Sequence, residues 1–99
     1  MSLRQADLAI GNIRGTIYTF EQAGDVLPWH VHGQTDAHIT IVARGQMRME
    51  TSADRGRTIS DTYELAEGHC IDTGPGVFHQ FTALTDNVRI FNIIKEPAL

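Results

Sequence analysis

Short runs of β-branched, aromatic and aliphatic residues, each closed by turn-forming residues, recur along the whole chain. Thr16-Ile17-Tyr18-Thr19-Phe20 reads as a strand that Ala23-Gly24-Asp25 breaks. Residues 29–32 form a short extended stretch behind Pro28, and Gly33-Gln34-Thr35-Asp36 predicts a turn. His38-Ile39-Thr40-Ile41-Val42-Ala43 is a strong strand closed by Arg44-Gly45. Residues 46–51 and 57–65 read as a hairpin around a polar tip at 52–56. Glu67-Gly68 and Gly74-Pro75-Gly76 mark further turns. Residues 78–84 and 88–94 read as a final strand pair joined by 85–87. No segment carries a helical period over three turns, and residues 3–10 are the one helix candidate. Many short strands at regular turn spacing predict an all-β fold, a small antiparallel barrel or sandwich.

Length changes this picture little: 99 residues make one domain, 1–99. A core of this size is modest, so a metal or a partner subunit would add stability. The 41% apolar content is that of a folded globular chain. The net charge of −4, with no Lys or Arg cluster, argues against nucleic acid and acidic membranes as partners. No apolar run is long enough to cross a bilayer, and residues 1–20 lack the pattern of a signal peptide. The single Cys70 excludes an internal disulfide and suits a reducing compartment, so the expected location is cytoplasmic.

The histidines bring in chemistry. In a strand, residues i and i+2 project from one face, so His30 and His32 point together and can converge on one ion. His38 cannot lie on a continuation of that strand, because six extended residues would carry it roughly 20 Å away. The turn at 33–36 returns it instead. His79 lies on a separate strand beside Gly76. Asp36 is a competing oxygen ligand, or a carboxylate that orients a ligand imidazole through its other ring nitrogen.

Residues 24–45 and 68–83 resemble the two motifs of the cupin superfamily. In the first, Gly24 is followed by five residues and His30-Val31-His32, and His38 by six residues and Gly45. His38 stands where the family usually carries a glutamate ligand, one residue later than the usual spacing. In the second, Gly68, five residues, Gly74-Pro75-Gly76 and two residues lead to His79. Gly74 replaces a proline of the motif and Ala83 an asparagine. The resemblance implies a small jelly-roll barrel with His30 and His32 as metal ligands, His79 beside them and His38 as the fourth.

Three or four imidazoles suit Fe, Mn, Ni, Cu or Zn. Barrel parity places Thr40 and Val42 on the face of His38, and Phe81 on that of His79, as pocket-lining residues. Trp29 alternates with His30 and is expected to point outward. Met47, Met49, Phe91 and Ile93 are expected in the core or the pocket, Cys70 as a small buried residue, and His69 in a turn. The resemblance implies a metal-dependent enzyme with oxidoreductase or dioxygenase-type chemistry on a small organic molecule. The alternatives are metal-assisted isomerase or lyase chemistry, a non-catalytic small-ligand-binding barrel, and a structural metal. A homodimer is expected, with Leu3, Leu8 and Ile10 supplying a packed or exchanged edge strand.

Overall fold

The alternating runs become antiparallel strands divided between two sheets. The computed structural model describes residues 3–31, 37–72 and 76–95. His32, the expected turn at 33–36 with Asp36, and Gly74-Pro75 lie outside these residues. The strands are β1 (Leu3–Ile10), β2 (Ile13–Phe20), β3 (Val26–His30), β4 (Ala37–Arg44), β5 (Gln46–Ser52), β6 (Asp61–Ala66), β7 (Cys70–Asp72), β8 (Phe78–Ala83) and β9 (Val88–Lys95). One sheet has the order β1-β2-β9-β4-β7 and the other β3-β8-β5-β6. The chain crosses repeatedly from one sheet to the other, so strands that follow one another are seldom neighbours. The architecture is the expected all-β, two-sheet barrel.

The core is drawn evenly from the two inner faces. Phe20, Val42, Val88 and Ile90 come from the first sheet, and Met47, Met49, Phe81 and Ala83 from the second. Alternation is clean in β9, where Val88, Ile90 and Asn92 are buried while Arg89 and Ile93 are exposed. Each large apolar side chain so buried contributes about 1.5–3 kcal/mol. Gly45 shows how tightly β4 must turn into β5. Its φ is +81°, and a Cβ there would stand 2.8 Å from Thr85 Oγ1 and 2.9 Å from Val88 Cγ2.

Several expectations are corrected. Residues 3–10 form a strand, not a helix, because a two-residue turn pairs all of β1 with β2, from Ile10 opposite Ile13 to Leu3 opposite Phe20. Gly11 supplies the positive φ (59°) that a tight hairpin turn requires. Strand β6 starts at Asp61 rather than at residue 57, because side-chain hydrogen bonds claim the preceding loop. Ser52 Oγ donates to Asp54 Oδ1 (2.7 Å) and accepts from the Gly56 amide (2.8 Å). Asp54 in turn accepts from the amide and the hydroxyl of Thr58, at 2.8 and 2.6 Å. Strands β8 and β9 do not pair: β8 lies between β3 and β5, and β9 between β2 and β4. Phe91 and Ile93 face outward, opposite the core parity of Ile90, whereas Met47 and Met49 are core. Cys70 is exposed at the start of an edge strand.

Candidate functional site

His30 arrives at the site through a bulge. Leu27 stands opposite Phe81 and His30 opposite His79, so three steps along β3 match two along β8. The extra residue falls at Pro28-Trp29, where Pro28 has no amide proton to give a ladder. Without it, Trp29 would face His79. With it, His30 takes the inward position. Trp29 is half-buried against its own chain, its indole lying so close to Gly56 that a Cβ there would stand 2.9 Å away.

His30 and His79 are thus cross-strand partners, with ring centroids 4.1 Å apart and planes inclined by 65°. Each is anchored in the same way. Nδ1 of His30 donates to the Pro28 carbonyl (2.8 Å) and Nδ1 of His79 to the Val77 carbonyl (2.9 Å). A carbonyl can only accept, so both rings carry their proton on Nδ1, and the neutral ring keeps its lone pair on Nε2. His38 comes from the other sheet on β4, with its ring 5.4 Å from that of His79. His79 is therefore the hub of a three-imidazole cluster that bridges the sheets. His38 and His79 are fully buried, and the Nε2 atoms of all three rings are shielded from solvent.

Phe81 packs against two members of the cluster, 5.5 Å from His79 and 6.2 Å from His30 between ring centroids. Thr40 and Val42 follow His38 along β4, both fully buried, and Val42 and Phe81 belong to the core as well. His69, the remaining histidine, is exposed in a turn and accepts the Ala66 amide at Nδ1 (3.0 Å). The structure therefore brings together His30, His38 and His79 and leaves His69 and Cys70 outside. His32 and Asp36 lie beyond the described residues.

Parity along β9 exposes a residue that the motif-based reading passed over. Asn92 sits at an inward position after Val88 and Ile90, is only 2% exposed, and accepts a hydrogen bond from Thr40 Oγ1 at its Oδ1 (2.7 Å). A polar residue on the buried face of an otherwise apolar alternation was the available signal. Burial, with the nearby Asp7 carboxylate adding to it, pushes the pKa of Tyr18 on the same sheet above its ordinary value.

The donor set suits a transition metal. Ligand histidines commonly hold their second ring nitrogen on a backbone carbonyl, as His30 and His79 do. Among the described residues, no group of three or more His, Cys, Asp or Glu is placed so that it could hold a metal ion. His30 and His79 share the Nδ1-protonated tautomer, each with its Nε2 buried.

The architecture has close counterparts. A cupin superfamily protein from Desulfitobacterium hafniense superposes with a TM-score of 0.79 at 8% identity, over 97% of this chain and 79% of that one. A cupin 2 conserved barrel domain protein from Salinispora arenicola gives 0.76 at 16% identity, over 95% and 76%. This chain has the cupin fold. KdgF from a Halomonas species shares the architecture, with a TM-score of 0.78 at 16% identity, over 96% of this chain and 81% of that one. No protein-family model matches the sequence, and no curated protein matches it. Likeness at these identities concerns the fold, and a cupin barrel hosts many chemistries. In this cupin-fold chain the expected motif residues His30, His38 and His79 fall on strands whose inner faces meet. Among the described residues no helix is long and apolar enough to cross a membrane.

Proposed function

We propose that this cupin holds one divalent transition metal (Fe, Mn, Ni, Cu or Zn) between its sheets through His30, His38 and His79, with His32 completing the set. On this reading it carries out oxidoreductase or dioxygenase-type chemistry on a small organic molecule. The observation that carries the reading is the paired anchoring of His30 and His79. Two cross-strand imidazoles have their Nδ1 protons committed to backbone carbonyls and both Nε2 atoms buried, and the His38 ring lies 5.4 Å from that of His79. Any buried histidine needs a partner for its Nδ1 proton; what supports a ligand role is that this anchoring leaves the Nε2 lone pairs of neighbouring rings together in the interior. When bound, the metal supplies a Lewis acid or a redox centre. The chain's own contribution is to fix the ring orientations, to keep bulk water away with Phe81 and Val42, and to present an apolar wall to the substrate.

Thermal unfolding with and without added metal tests the metal reading. Wild-type protein gains stability with at least one of the five metals, while His79→Ala gains none. An equal shift in both proteins contradicts it. Oxygen uptake by the loaded protein with diketones, thiols and catechols tests the reaction class. No uptake with any redox-active metal returns the barrel to a binding role.

The partner on this reading is a second copy of the chain. Leu8, Ile13, Ile17, Phe91 and Ile93 line an apolar groove on the outer face of the first sheet, next to the open edge of β1. Leu8 and Ile13 are 52% and 42% exposed, which is costly for a monomer. Light scattering should give twice the chain mass for wild type and the single mass for Ile13→Glu. A monomeric wild type contradicts the dimer.

A further inference from the structure

The outer face of the first sheet carries a row of arginines at one end. Across the strands, Arg4 on β1 stands opposite Thr19 on β2, Thr19 opposite Arg89 on β9, and Arg89 opposite Arg44 on β4. Arg89 lies between the buried Val88 and Ile90, so its side chain faces out, and Arg4 and Thr19 share that face by register. Like charges opposite one another on neighbouring strands repel, and Arg44 and Arg89 are such a pair. Neither has an acidic partner among the described residues. Arg4 donates from Nε to Glu21 Oε1 (2.9 Å), which fixes its direction and leaves its terminal nitrogens outside that bond. Thr19 is the short residue between two long ones. Arg4 and Arg89, with Gln5, Ala6, Ile17 and Thr19, line a cleft of about 340 Å³. Two strand spacings, roughly 10 Å, separate the two arginine backbones, a gap that two guanidinium groups can close around one anion.

The next row along the same face is apolar. Ala6 stands opposite Ile17 and Ile17 opposite Phe91, two residues and thus roughly 7 Å from the arginine row. We propose that this end of the sheet binds a small organic acid, with its carboxylate between the guanidinium groups of Arg4 and Arg89 and its apolar body over Ile17 beside Phe91. Arg44, on the far side of Arg89, adds positive potential without touching the ligand. An inorganic anion would leave the apolar row unused, and a neutral ligand would leave Arg89 uncompensated. A carboxylate on a short carbon chain matches both rows. The site lies toward the opposite end of the face from Leu8 and Ile13, the residues that a second copy would cover. It involves neither the histidines nor a metal.

Calorimetric titration with hexanoate at low salt tests the proposal, with hexan-1-ol and inorganic phosphate as matched probes. Wild-type protein should bind hexanoate about tenfold more tightly than either probe, and added salt should weaken it, because exposed charges are screened. Affinity should fall about tenfold in Arg89→Gln and in Arg4→Gln. Both positions are exposed, so the variants keep the fold. In protein labelled with ¹⁵N-arginine, hexanoate should move the Nε resonances of Arg4 and Arg89, which the two variants assign by their loss. The absence of saturable hexanoate binding would overturn the proposal, as would unchanged affinity in both variants. Equal affinity for phosphate and hexanoate would reduce the row to a general anion patch and overturn it too. A wild-type dimer that Arg89→Gln splits, with no hexanoate binding, would assign the row to a second copy instead.

Discussion

The loop between β5 and β6 and the interior of the barrel both concentrate polar side chains, and they use them in opposite ways. In the loop, Ser52, Asp54 and Thr58 bond to one another and to nearby amides within seven residues of chain. Nothing is directed elsewhere, and the result is a shaped turn. In the barrel, His30, His38, His79 and Asn92 come from four strands and both sheets. Nδ1 of His30, Nδ1 of His79 and Oδ1 of Asn92 are tied down by Pro28, Val77 and Thr40, while the opposite nitrogens of these three residues are buried. Polar groups that satisfy one another locally build structure. Polar groups anchored at one end, with the other end turned into a buried interior, build a site.

The largest test of this contrast is Phe81→Ala. Phe81 is fully buried, with its ring 5.5 Å from that of His79 and 6.2 Å from that of His30. Its loss should lower the free energy of unfolding by about 3–5 kcal/mol in urea. A cost below about 1 kcal/mol would mean that the barrel wall is not close-packed around the histidines.

Ser52→Ala should cost less, about 1–3 kcal/mol, because it leaves the Gly56 amide without its acceptor in a partly buried turn. Metal uptake should be unchanged. A variant that loses metal would show that the loop and the interior are coupled and would break the comparison.

The smallest effect lies in the pH response of the loop. Hydrogen bonds from Thr58, first from its hydroxyl and then from its amide, with a further one from Ser52, hold the Asp54 carboxyl down to about 2. Its contribution to loop order is therefore complete above the ordinary value of 3.8 and is lost as pH falls through about 2. The Thr58 amide resonance, followed from pH 6 downward, should move with a midpoint near 2. A midpoint near 4 would show that the network does not form in solution.

The sequence made the all-β class legible because β-branched runs and turn residues alternate so regularly. It also made three clustered histidines legible, since spacing in two motifs placed His30, His38 and His79. What it hid was non-local. Residues 3–10 carry no decisive period of their own, and pairing with β2 makes them a strand. The inward direction of His30 depends on the bulge at Pro28-Trp29, which simple alternation does not foresee. The split of β8 and β9 between sheets follows from which partners remain available, not from the short turn that joins them. Phe91 and Ile93 are as apolar as core residues, and only register shows that they face out. Asn92 was missed because it belongs to neither motif.

The central claim is that the three clustered imidazoles hold a metal, and counting metal ions tests it most directly. Protein purified without added metal or chelator, then equilibrated with each of the five candidates and desalted, is analysed by plasma mass spectrometry. The account predicts close to one ion per chain for at least one metal in wild type, and near zero in a His30→Ala/His79→Ala double variant that still unfolds cooperatively. A stoichiometry near zero in wild type for every metal, or the same stoichiometry in wild type and the double variant, would contradict it.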